Sequence, residues 1–140
     1  MKSLAIVLTI SVLLSACSTV YMDARNPLAI SGGYWEKKGP GKLTTVGFSA
    51  NGYTSSETAA KLLLRRCTEL AKAAGKPYFL IYETPVHAVA DRPIKDFNVF
   101  KLGNKPNPVV YVLMQDNPSA FTFSVEAEQA SNNQPEATKP

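Results

Sequence analysis

The chain contains two cysteines, one histidine and one tryptophan in 140 residues. Two cysteines cannot build a disulfide scaffold. A lone histidine leaves few ways to assemble a metal site or a catalytic triad. Charged residues are also sparse, at 19% against 45% hydrophobic, which excludes a disordered chain. Long apolar runs are missing beyond one near the N-terminus, so the chain is not a membrane channel. Turn residues are plentiful instead, with ten prolines and eight glycines, and a plain helical bundle is excluded. The length suits one domain.

Met1-Lys2 supplies a positive end, and Leu4 to Leu14 is apolar except at Thr9 and Ser11. As a helix this run rises about 16 Å, roughly half a bilayer core of about 30 Å, which suits a signal peptide and not a spanning helix. It ends in Leu14-Ser15-Ala16-Cys17, which resembles the bacterial lipobox at every position. The expected product begins at Cys17, diacylglycerol-modified on its sulfur and carrying palmitate-type acyl chains. Three such chains hold a protein almost permanently, where one holds it only marginally. Ser18 stands where an aspartate would retain an enterobacterial lipoprotein in the inner membrane, so the outer membrane, facing the periplasm, is the expected location. Only Lys2 is lost among the charges, lowering the formal +4 by one. With Cys17 acylated, Cys67 has no partner within the chain.

Residues 1–16 thus read as signal peptide, 17–31 as a lipidated tether, 32–126 as a folded domain and 127–140 as a disordered tail. Extended, 18–31 reaches about 45–50 Å. Gly39-Pro40-Gly41 separates 33–38 from an alternating stretch over 42–51, predicting a β-hairpin. Thr54-Ser55-Ser56-Glu57 reads as a capping box with Thr54 as the cap. The helix behind it has a seam at Ala60, Leu63, Cys67, Leu70 and Ala74, widened by Leu64 and Ala71, and Gly75 ends it. Residues 78–83 and 109–114 are apolar on both faces, as central strands are. Between them, 84–108 carries four prolines, with an edge strand expected over 97–102. Residues 120–125 fit strand or helix.

The expected fold is α+β in two layers. An antiparallel or mixed sheet of four to five strands carries one main helix on one face. A helix of this length covers only one sheet face. If Phe79, Ile81, Val110 and Val112 face it, then Tyr78, Leu80, Tyr82, Tyr111 and Leu113 line the other. That second face is either covered by the 84–108 insert or left as an aromatic platform for a partner.

The order Gly33-Tyr34-x-Glu36, Phe48-x-x-Asn51, Thr54 before a helix with Leu64-Arg65 and Glu69-Leu70, then Gly75-x-x-Tyr78-Phe79, is similar to a Caulobacter-type family of small uncharacterised proteobacterial lipoproteins. The similarity spans 32–83 and the lipobox. It implies an anchored α+β domain with no known activity. Cys67 replaces the usual alanine, which implies a small core residue.

Catalytic patterns are not met. Ser49, within Gly47-Phe48-Ser49-Ala50-Asn51-Gly52, lacks the small residue two positions on that a nucleophile elbow needs, and His87 is the only histidine a triad could use. Lys42 follows a glycine turn, but Glu36 and Leu43 break the phosphate-loop pattern. Asp91 and Asp96 are split by proline and flanked by Arg92 and Lys95, a poor calcium site. No catalytic residue, metal or cofactor is expected. Lys37, Lys38, Lys42, Arg65 and Arg66 could lie near anionic headgroups or wall polymer, whereas nucleic acid is excluded by compartment. The expected partners are the membrane, through the N-terminal lipid, and an envelope protein or a second copy. The expected function is a non-enzymatic interaction or structural module, with a binding protein for a small ligand or cell-wall fragment as the alternative, its pocket lying between the sheet and the 84–108 insert.

Overall fold

The computed structural model describes residues 19–29 and 32–134. The expected signal peptide, Cys17 and residues 135–140 lie outside them. The expected hairpin forms from β1 (Gly33–Lys38) and β2 (Thr44–Ser49). Its register sets Trp35 opposite Gly47, where a Cβ would meet the indole at 2.2 Å. Glycine in mid-strand is therefore what lets the indole lie flat across β2.

Helix α1 (Ser56–Ala73) is capped by Ser55, not Thr54: the Thr58 amide donates to the Ser55 hydroxyl at 3.0 Å. Thr54 is engaged elsewhere, as described below. Its buried line is Ala59, Leu63, Cys67 and Ala71 with Thr68, rotated from the expected seam, and Ala74 is exposed. Gly75, at φ 68°, closes the helix as expected. Its amide donates to Lys72 O at 3.0 Å and that of Lys76 to Ala71 O at 2.9 Å, the pair of hydrogen bonds typical of a glycine-terminated helix.

After β3 (Tyr78–Tyr82), the proline-rich connection holds α2 (Pro85–Val89) and a small hairpin of β4 (Lys101–Leu102) and β5 (Lys105–Pro106). β6 (Val109–Gln115), β7 (Phe123–Ser124) and α3 (Val125–Asn132) complete the chain. The main sheet runs β1-β2-β6-β3-β7, antiparallel throughout. β6 slots between β2 and β3, which α1 connects as a crossover. The protein is therefore an α+β domain. Phe79, Ile81, Val110 and Val112 do face α1, in one core with Val46, Phe48, Leu63 and Cys67, all fully buried. Each large apolar side chain so buried contributes about 1.5–3 kcal/mol.

Three boundaries differ from expectation. The strand expected over 97–102 is only Lys101–Leu102, outside the main sheet. Ile94 takes an edge position on β3 instead, its amide donating to Ile81 O at 2.8 Å. Residues 120–125 hold both a short strand and a helix start, and α3 continues through Asn132, into the stretch expected as tail. Buried Val125 and the Ser124 cap hold its first turn.

The third differing boundary is the tether's, because Thr19 to Ala29 lies on the domain. Thr19 is buried, and its amide donates to the Thr54 hydroxyl at 3.0 Å while its own hydroxyl accepts from the Asn51 amide at 2.7 Å. Met22 and Ala24 then bond the backbone of Tyr34, Tyr34 N to Met22 O and Ala24 N to Tyr34 O, both at 2.8 Å. A Cβ on Gly33 would meet Met22 O at 2.2 Å, so glycine is what admits this close approach.

Candidate functional site

Register defines the second sheet face. Trp35 lies beside Gly47 and Val109; Lys37, Thr45, Tyr111 and Tyr82 form the next row; Leu113 and Leu80 the next; Gln115 and Tyr78 the last. Of the five residues expected on this second face, Leu80 and Tyr82 are only 4% and 2% exposed. Tyr78, Tyr111 and Leu113 are half-buried. The segment following β3 folds back here, and the Tyr82 hydroxyl donates to Asp91 Oδ1 at 3.3 Å. Asp91 sits at φ 48°, a left-handed conformation that aspartate tolerates better than most residues. Burial first, then the Asp91 carboxylate, raises the Tyr82 phenol above its ordinary pKa. The insert therefore covers this end of the face, and Tyr82 belongs to a second, smaller core.

Beyond Tyr82 an open apolar groove remains, of about 310 Å³, between α2 and the β1–β2 turn. Leu43 and Leu113 lie in it, with Pro40, Pro85, Ala88 and Val89 at its sides. Val86 and Val89 are 73% and 91% exposed. Pro85 starts α2, with the Thr84 hydroxyl accepting from the His87 amide at 3.2 Å, a common way to begin a short helix. The groove lies where the alternative reading expects its pocket, between the sheet and the 84–108 insert. Its exact place has only a weak signal in the sequence: an apolar Leu43 after a turn, and a valine on a proline-led helix.

The α1 face carries a polar cluster. Arg66 lies over the Tyr34 ring at 4.2 Å and bonds Glu36 and Glu69, each at 3.2 Å. Burial works against the Arg66 charge, and the two carboxylates outweigh it, so its pKa rises. Arg65 lies over Tyr21 at 4.1 Å, Tyr21 packs on Tyr34 at 4.9 Å, and the Tyr21 hydroxyl donates to Glu69. Arg65 and Arg66 are thus neutralised by carboxylates and contribute no free basic patch. Lys37, Lys38 and Lys42 lie at the β1–β2 turn instead.

The remaining candidates stay apart. Ser49 is at the opposite end of β2 from Leu43, near which α2 and His87 lie, about 17–20 Å along the strand. His87 Nδ1 lies 4.0 Å from Glu83 and has no hydrogen-bond partner. Among the described residues, no cluster of three His, Cys, Asp or Glu groups could hold a metal, and no helix is long and apolar enough to cross a membrane.

Cys67 is fully buried, and burial pushes its thiol from 9.0 up to about 12. Native protein should label with a thiol reagent far more slowly than denatured protein. An unfolded thiol ionises near 9.0 and the folded one near 12, so this contribution to stability holds below pH 9 and is lost as pH rises towards 12. Cys67→Ala should cost only about 1 kcal/mol. Equal labelling rates in the two states would contradict the burial.

No family model, curated protein or solved structure matches this chain.

Proposed function

We propose that the protein is a lipid-anchored envelope module, held in the outer membrane through Cys17, that works by contact with a partner protein in the periplasm and performs no chemistry. The lipobox and the similarity to small proteobacterial lipoproteins support the anchor. The observation that carries the contact reading is the groove beside α2. It is open, lined mainly by apolar side chains, and edged by Val89, which is 91% exposed. Exposed apolar surface of this kind favours protein contact over catalysis.

The alternative, a binding protein for a small ligand or cell-wall fragment, draws on the same groove, whose volume is near the lower end of small-molecule sites, about 300–1,000 Å³. Such sites enclose their ligand and orient it with several converging polar groups. Among the described residues, Lys42 is the one charged residue lining this groove, so the contact reading is preferred.

A photo-reactive residue at Val89, in intact cells, tests the proposal. The expected result is one discrete protein adduct, lost when Cys17→Ser leaves the chain as unprocessed precursor. An adduct of small-molecule mass would favour the alternative. A Cys17→Ser chain that is correctly cleaved and soluble would sink the anchor.

A further inference from the structure

The fold enters its hydrogen-bonded core at Thr19, two residues after the proposed lipid attachment at Cys17. Two residues extended span at most about 7 Å. Whatever surrounds Thr19 must then lie at the headgroups, where a free 14-residue tether would have let the domain wander tens of ångströms.

What surrounds Thr19 is one end of the sheet. Asn51 and Thr54 bond it directly, and Val20 and Tyr53 beside them are 55% and 80% exposed. The β4–β5 turn lies against the same place: a Cβ on Gly52 would come 2.5 Å from Asn104 Nδ2, and Ala50 N donates to Pro106 O at 3.0 Å. That hairpin brings exposed Leu102, at 62%, with Lys101 and Lys105 exposed on either side. Asp23 and Glu57 are the acidic residues nearest in sequence, and each is paired, Asp23 with Arg25 at 2.8 Å and Glu57, in the first turn of α1, with Lys61 at 3.1 Å. Tyrosine with its ring in the interfacial zone, an aliphatic tip and unpaired lysines are the side chains that settle among phospholipid headgroups.

We propose that this end, with Val20, Tyr53 and Leu102 as apolar tips and Lys101 and Lys105 as headgroup contacts, rests on the bilayer that holds the acyl chains. The proposal builds on the lipoprotein reading. It fixes the orientation: the groove beside Val89 lies at the other end of β2 and points away from the membrane, towards the periplasm. The lysines at the β1–β2 turn face away from the membrane with it.

The test uses the full lipidated protein in vesicles of phosphatidylethanolamine and phosphatidylglycerol. With Cys17 acylated and Cys67 buried, Tyr53→Cys or Val89→Cys each adds one reactive thiol for a fluorophore. Both positions are exposed, so neither variant disturbs the core. Lipids carrying a nitroxide near the headgroup should quench the probe at 53 several-fold more than the probe at 89. Lys101→Glu with Lys105→Glu should reduce quenching at 53 in the anionic vesicles. Equal quenching at 53 and 89, on protein that floats with the vesicles and shows an acylated Cys17 by mass, overturns this proposal alone. No loss of quenching in the double lysine variant overturns the headgroup contact. Protein that neither floats nor carries acyl chains overturns both this proposal and the lipoprotein reading. Protection of position 53 in cells but not in vesicles gives this end to a protein partner instead, and overturns the bilayer contact.

Discussion

Replacing Tyr82 and Tyr111 together with serine should lower the melting temperature by more than about 10 °C. The two side chains stand opposite each other on the second sheet face, but they are not equivalent. Tyr82 is 2% exposed with its hydroxyl on Asp91 at 3.3 Å, whereas Tyr111 is half-buried. Truncating a buried aromatic costs about 3–5 kcal/mol, out of roughly 5–15 kcal/mol for a whole domain. Three kcal/mol lowers the melting temperature by roughly 10 °C or more at this size. Asp91 is exposed and regains its lost hydrogen bond from water, so it adds little to the cost. Tyr111→Ser alone should move the melt by only a few degrees, which apportions the effect. A double variant melting like the parent would mean that the insert does not pack on Tyr82, and would restore the open aromatic platform.

What could be read from the sequence was whatever repeats locally. Strand alternation separated Phe79, Ile81, Val110 and Val112 from Tyr78, Leu80, Tyr82, Tyr111 and Leu113 correctly, because a period of two needs no knowledge of the partner strand. Gly75 was legible for the same reason, since a helix end is a local event. The misses are long-range. Thr54 and Ser55 are both good caps, and which one serves is settled by Thr19, 35 residues away, which claims the Thr54 hydroxyl. Residues 19–29 show no periodicity because side chains hold them, Tyr21 through Glu69 and Arg65, rather than an apolar stripe. The helical seam slipped by one position because 3, 4, 3, 4 and 4, 4, 4 spacings share Leu63 and Cys67. That a groove would lie between the sheet and the insert was legible, but its place at the β1–β2 turn was not. It exists only where the insert returns to the β1–β2 turn, and no local pattern marks that return.

Phe79→Ala should cost at least as much as the tyrosine pair, and its damage should be uneven. Phe79 is fully buried and stacks on Phe123, with ring centroids 5.2 Å apart and planes 10° from parallel. Loss of the buried ring costs about 3–5 kcal/mol, and an aromatic pair adds about 0.5–1.5 kcal/mol beyond its area. β7 pairs with β3 at only two positions, Tyr78 with Ser124 and Phe79 with Phe123. α3 follows at once, held at its start by Val125, whose amide donates to Pro77 O at 3.0 Å. The stack and the neighbouring Val125 tie this C-terminal unit to the sheet's core, and α3 also packs on α1, while β1 and β2 are held by their own ladder and by α1. Hydrogen exchange should quicken most across 123–132 and least across 44–49, because local opening follows the weakest docked segment. Phe79→Leu keeps much of the volume and should restore part of the protection. If the packing of α3 on α1 suffices to hold the helix, exchange across 125–132 will stay at the parent rate until the whole domain unfolds, and the Phe79–Phe123 stack will have no special hold on that helix.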